Sequence, residues 1–416
     1  MSKSKEEDLW QACTDGDLET VKTLADDPVV DVNWVGENRL DSSLHRACRF
    51  GRLDIVKALL ASAKIEANKG NKGDASPFFI ACQEGHKDVV SLLLADPRID
   101  PNMPTSNGTC PLFMACQEGH KEVISLLLAD PRIDPNQQQT DGATPFFIAC
   151  EEGHKEVISL LLAHPSVDPN TPKSTGSTPS FLACQNGHKE VVSLLLADPR
   201  IDPNKPKDTG ATPFFMACQE GHQEVVSLLL SDPRIDPNKP KNNEATPLFI
   251  ACQKGGNEVI SLLLADPRID PNKPQSDHTT PLWVASQNGQ LLVVQHLLAS
   301  GREIITKTKS TFNNKTAAEQ GRRQPSVPKS TDETEEVFQR RKTIGPLCAD
   351  LIDEYESEPE HLEVRHRLRR QPGLREYFIG HLFALVVFHS DSFVAINENR
   401  PPRHQEILQD HFSASP

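Results

Sequence analysis

The chain has 416 residues, 37% of them hydrophobic and 25% charged, enough apolar material for two or three ordinary cores and too much for disorder throughout. Its formal charge of −14 argues against nucleic acid or an anionic membrane as the main partner, since phosphate binding needs clustered Lys and Arg. The opening MSKSKEEDLW lacks an apolar signal core, and the longest apolar run, Tyr377 to Phe388, is broken by Gly380 and His381, so neither a secretion signal nor a membrane span is expected.

Taken in chain order, the predicted elements repeat. Alanines at positions Ala12, Ala47, Ala81, Ala115, Ala149, Ala183, Ala217, Ala251 and Ala285 lie in the same local context, 35 residues apart once and 34 thereafter. That spacing defines nine units. In the fifth, Thr144 to Asn170 reads TPFFIACEEGHKEVISLLLAHPSVDPN. Pro145 suits the first turn of a short helix, where its missing N–H costs nothing, with the preceding hydroxyl as the cap. Gly153 ends that helix, and a second helix follows with Val157, Ile158, Leu160, Leu161 and Leu162 on a broad apolar face until Pro165 stops it. The polar, Pro- and Gly-containing stretch from Asp168 to Ser177 reads as an extended hairpin or loop. The phrase ADPRIDPN, at Ala95, Ala129, Ala197 and Ala265 with close copies at Ala163 and Ser231, is the turn that leaves each second helix. Six or so buried side chains cannot offset the ordering entropy of one unit, so the units must stack on their neighbours.

Eight of the ten cysteines (Cys13, Cys48, Cys82, Cys116, Cys150, Cys184, Cys218 and Cys252) hold one place in successive units. Stacked helices would set them about 8 to 10 Å apart, beyond the reach of a disulfide of about 7 Å, so they read as small buried hydrophobes of a reducing compartment, cytoplasm or nucleus. The histidine column His86, His120, His154, His188 and His222 is likewise too widely spaced to share a metal ion and is expected to hydrogen-bond between helices. Phosphate loops, paired metal motifs and nucleophile arrangements are not found; His361, Glu363 and His366 do not complete a metalloprotease pattern. No enzyme, cofactor or metal is expected.

The combination of Thr-Pro-Leu/Phe, Ala-Cys, Gly-His, Glu-Val-Val/Ile, Leu-Leu-Leu and Asp-x-Asn resembles the ankyrin repeat over about residues 7–300. It departs from that family in two ways. The usual unit has one residue fewer, the extra one lying in PRIDPN, and the usual His after Thr-Pro-Leu survives only as His45. Elsewhere this site holds Phe79, Phe113, Phe147, Phe181, Phe215, Phe249 and Trp283, with Trp10 in the first unit; packing between first helices is their expected use. The resemblance implies an all-α solenoid with β-hairpin loops. It also implies a protein partner bound on the concave face, made of hairpin tips and the exposed side of the first helices.

Comparison of the units supports that placement, because the helices are nearly identical while the hairpins differ. The two residues before each Gly-His are expected to be exposed. Candidate binding residues on the first helices are Glu84, Glu118, Glu151, Glu152, Gln185, Gln219, Glu220 and Gln253, and in the hairpins Asp141, Asp208, Thr209, Asn242 and Asn243. Glutamates in this row favour a basic or polar peptide-like partner, against which Lys205, Lys207, Lys239, Lys241 and Lys273 supply positive charge nearby. A monomer is expected.

The array is assigned to residues 1–310, with a truncated tenth unit around Lys315 to Gln320 reaching 321, then a polar linker over 321–343, a small helical module over 344–395 and a polar tail over 396–416. In the module Leu347, Leu351, Ile352 and Tyr355 share one helical face, and Leu374, Phe378, Leu382 and Val386 another after Pro372-Gly373. Arg365, Arg367, Arg369, Arg370 and Arg375 read as a solvated face beside the acidic run Asp350 to Glu360, or as a dock for an acidic partner. Leu347, Cys348 and Ile352, with Leu374, Tyr377 and Phe378, resemble the SOCS box, the helical module that links ankyrin proteins to a ubiquitin ligase. Two readings therefore stand: a binding scaffold without chemistry of its own, and a ligase substrate adaptor.

Overall fold

The computed structural model describes residues 4–36, 40–323, 335–357 and 362–369. It divides into two compact units: Met1–Val259 with Lys273–Asp277, and Ile260–Asn272 with His278–Pro416. Among the described residues it is all helical, apart from one isolated bridge between Val35 and Ser42.

The first unit repeats a helix pair. In the fifth repeat the first helix, Pro145–Glu152, begins at Thr144, whose Oγ1 accepts the Phe147 N–H at 3.1 Å, and carries Pro145 at its first turn. It stops at Gly153, whose φ of 83° is a left-handed conformation that costs a glycine nothing. Here a side chain would also collide with the next repeat, since a Cβ on Gly153 would lie 2.6 Å from Nδ1 of His188. The second helix, Lys155–Ala163, buries Val157, Ile158 and Leu161 and exposes Ser159. First helices pack on first helices of adjacent repeats, and second on second. The Phe column is buried, as expected for packing between first helices. All ten cysteines are free and buried.

The hairpin loops are held by turns instead of strand ladders. In the seventh repeat Lys207 N–H donates to Ala211 O at 2.9 Å and Gly210 N–H to Lys207 O at 2.8 Å. Successive tips are tied by single backbone bonds, such as Ser174 N–H to Asp141 O at 2.8 Å and Asn242 N–H to Thr209 O at 3.0 Å. One bond per step leaves most tip backbone groups directed at solvent.

The repeated phrase ADPRIDPN does more than end a helix. Arg98 is gripped by Asp96, with Nη2 to Oδ2 at 2.6 Å, and the same Nη2 donates to the Leu60 carbonyl of the preceding second helix at 2.7 Å. Arg132, Arg200 and Arg234 reach Leu94, Leu162 and Leu196 in the same way. The phrase's Asn adds a second tie: Asn102 Nδ2 donates to Arg132 O at 2.6 Å, and its Oδ1 accepts Asp134 N–H at 3.0 Å. Each copy that carries the arginine thus caps the previous repeat's helix C-terminus with a cation and receives the next repeat's loop.

In the second unit, the segment read as a truncated tenth unit contains a helix, Ala317–Arg323, started by a reciprocal pair between Thr316 and Glu319. Trp283 Nε1 donates to Lys315 O at 3.0 Å. The next helix, Glu335–Ser357, begins inside the segment assigned to a linker; residues 324–334 of that segment lie outside the described residues. It packs on Ala317–Arg323, where a Cβ on Gly321 would stand 2.6 Å from Gly345 O, and it buries Cys348, Ile352 and Tyr355. A final helix, Leu362–Arg369, places Arg365 against Tyr355 OH at 2.8 Å and pairs Arg367 with Glu354. These two arginines of the basic run thus meet groups of the neighbouring helix. The second apolar face of the assigned module (Leu374, Phe378, Leu382, Val386), Tyr377 and the tail lie outside the described residues.

Candidate concave binding surface

The first-helix row is positioned by the histidine column. His120 Nε2 bonds Gln83 O at 2.8 Å, His154 bonds Gln117 O, His188 bonds Glu151 O and His222 bonds Gln185 O. The backbone of the first residue of each pair is thereby tied to the next repeat, and the second residue points outward. Glu84, Glu118, Glu152 and Glu220 are accordingly exposed, while Glu151, Gln185 and Gln219 are half-buried. Gln253 is exposed. In the hairpins Asp208, Thr209, Asn242 and Asn243 are exposed and Asp141 is half-buried.

The charges in this row are not all free. Glu84 pairs with Arg49 at 3.1 Å, and Arg49 also holds the buried Asp41 at 3.4 Å. Lys173 lies 3.4 Å from Asp141 and 3.5 Å from Glu151, with its ammonium 4.7 Å from the centre of the Phe147 ring. Lys207 stands in the same relation to Phe181, at 5.5 Å. Gln219 Nε2 donates to Glu220 at 2.7 Å, and Asn242 Nδ2 to Asp208 O at 3.0 Å. A uniformly acidic strip is therefore not what the row presents. Glu118 and Glu152 are exposed with no ion pair recorded among the described residues, whereas Glu84, Asp141 and Glu151 are matched internally.

One feature of the surface was not singled out in the sequence. The position between the aromatic residue and the column alanine is apolar in repeats three to eight: Ile80, Met114, Ile148, Leu182, Met216 and Ile250. Met114, Met216 and Ile250 are half-buried, and Met114 packs on a cluster of Ala75, Phe79 and Ile80. In the third repeat Ile80 lines a cleft of about 400 Å³ together with Asn71, Lys72, Gly73 and Ala75 of a hairpin and Arg49, Phe79 and Gln83. Ile80, Ile148 and Leu182 are buried, so Met114, Met216 and Ile250 are the members of this row that keep partial exposure. The signal was present as an invariant apolar type at a position that a helix of seven or eight residues need not bury on both sides.

Among the described residues no group of three His, Cys, Asp or Glu side chains gathers as a metal-ligand set, and no helix is long and apolar enough to cross a membrane. A family model described as ankyrin repeats (3 copies) matches residues 63–139, 131–207, 166–241, 195–275 and 217–308. A second, described as ankyrin repeats (many copies), matches residues 9–60. No curated protein matches the chain.

Proposed function

The chain belongs to the ankyrin repeat family, whose repeats are generally protein-protein interaction modules, and from that premise we propose that it is a non-catalytic scaffold that holds a protein partner on its concave face. The observation that carries the reading is the set of half-buried apolar side chains Met114, Met216 and Ile250 beside polar hairpin tips, an arrangement of apolar centre and polar rim suited to a protein surface. The proposed contacts are the exposed Glu118, Glu152, Glu220, Gln253, Asp208, Thr209, Asn242 and Asn243, with Glu84, Glu151, Asp141, Gln185 and Gln219 at the edge. A monomer in the reducing cytoplasm or nucleus fits the ten buried free thiols. Site-specific photo-crosslinking tests the face. A crosslinking residue at Thr209 or Asn243 in the full chain should capture a partner, and one at the exposed Ser193 of the second helix Lys189–Ala197 should not. Capture from Ser193 alone would overturn the reading.

A second reading, a ubiquitin-ligase substrate adaptor, is favoured by one observation. Leu347 is 52% exposed beside the fully buried Cys348, leaving an apolar side chain available to a further subunit. Co-purification of elongin or cullin subunits with the full chain, lost on Leu347→Asp, would support the adaptor; its absence would leave the scaffold.

A further inference from the structure

We propose that the concave groove of the first unit is polarised along its length and receives one extended protein segment of opposite polarity, basic over repeats four and five and acidic over repeats six to eight. The inference rests on the scaffold reading and specifies the partner's chemistry. At the hairpin and helix-end positions of repeats four and five stand Glu118, Asp141, Glu151 and Glu152, with no Lys or Arg. At the same positions of repeats six to eight stand Lys173, Lys205, Lys207, Lys239, Lys241 and Lys254, against Asp208, Glu220 and Glu244. A chain with a formal charge of −14 thus gathers lysines along one half of its groove.

The two halves meet where Lys173 reaches back to Asp141 and Glu151, at 3.4 and 3.5 Å. That contact satisfies the carboxylates at the boundary and leaves Glu118 and Glu152 as the exposed anions of one end. At the other end Lys207 and Lys241 line the groove in the register of Lys173, half-buried and with no ion pair recorded among the described residues. Met114 at one end and Met216 and Ile250 at the other are half-buried apolar side chains of the first helices, so affinity comes from a shared apolar contact and orientation from the charges. A uniformly basic or acidic segment would meet repulsion at one end.

Fluorescence anisotropy of the full chain at low ionic strength tests this with labelled peptides of about 12 residues, the extended length that crosses four repeat steps of about 8 to 10 Å. All carry alternate leucines. One has lysines in its first half and glutamates in its second, one has the same composition with the charges intermixed, one has lysine throughout and one glutamate throughout. The block peptide should bind about tenfold or more tightly than the intermixed one. Glu118→Lys with Glu152→Lys should move the preference to the glutamate peptide, and Lys207→Glu with Lys241→Glu to the lysine peptide. Circular dichroism checks folding of each variant. Should the lysine pair fail to fold, the glutamate pair, at exposed positions, decides alone. Equal binding of block and intermixed peptides, unchanged rankings in the variants, or no binding by the block peptide overturns the polarity. None of these outcomes touches the scaffold reading, which fails only if crosslinks come from the second helices.

Discussion

Eight successive repeats place a cysteine beside an alanine because two small residues let neighbouring first helices approach, and the thiol fills the space as a compact apolar group. Burial pushes these thiols up: Cys13 to about 12, and Cys82, Cys116, Cys150 and Cys218 well above the ordinary value. Cys110, which caps the helix Pro111–Glu118, rises to about 11. In the unfolded chain a thiol ionises near pH 8.5, whereas in the fold it stays protonated. The contribution is therefore fully present below about pH 8.5 and is lost as pH rises toward the folded value, by up to about 1.4 kcal/mol per pH unit for each thiol. The thermal midpoint should fall between pH 8 and 10, and the fall should become shallower when Cys82, Cys116, Cys150 and Cys218 are replaced by Ala. An identical alkaline slope in that variant would show that the thiols are not the titrating groups. The column's recurrence was legible in the sequence. That its thiols are sealed from water was an inference from stacking, which the burial of all ten bears out.

Among the elements, the second helix of the fourth repeat, Lys121–Ala129, differs from its neighbours. The loop that should clasp its C-terminus reads HPSVDPN, with His164 and Ser166 where the other copies have Asp and Arg. Serine is too short to reach the Leu128 carbonyl, and His164 Nδ1 is buried without a hydrogen-bond partner. The asparagine tie persists, since Asn136 Nδ2 still donates to Ser166 O at 2.6 Å. This step between repeats four and five is thus fastened by one tie where others have two. Restoring the clasp with His164→Asp and Ser166→Arg should raise stability by about 1 kcal/mol, the size of a charge-assisted bond at a partly exposed site. It should also slow hydrogen exchange at the end of Lys121–Ala129. A chemical-denaturation midpoint unchanged or lowered by the pair would remove the clasp as a source of stability. The helices themselves were legible because Thr-Pro caps, Gly stops and apolar periodicity are local signals. The clasp was not, because it joins residues more than a full repeat apart.

For the first unit as a whole, each repeat contacts its neighbours and has no shared core, so stability accumulates by nearest-neighbour steps. A chain ending before Thr178 should keep the helical signal of its remaining repeats in circular dichroism and melt at a lower temperature. Collapse of residues 1–177 to a coil at low temperature would contradict this. The hairpins illustrate the opposite case. Their extended appearance in sequence suggested β-structure, yet among the described residues successive tips share at most one interrepeat backbone bond, too few for a ladder. The segment assigned to a polar linker similarly gives way to helix from Glu335, continuous with the module helix whose Ile352 and Tyr355 are buried as their shared face in the sequence implied.

By itself the sequence determined the period, the helix pair within each period, the caps and stops, and the family, because each depends on residues within a few turns of one another and is written many times over. Tertiary structure alone decided which charges remain available. Glu84 is answered by Arg49, and Asp141 with Glu151 by Lys173, through contacts between repeats whose partners stand far apart in the chain. Stacking brings them within 4 Å, and a one-dimensional reading of charge counts the same carboxylates as free.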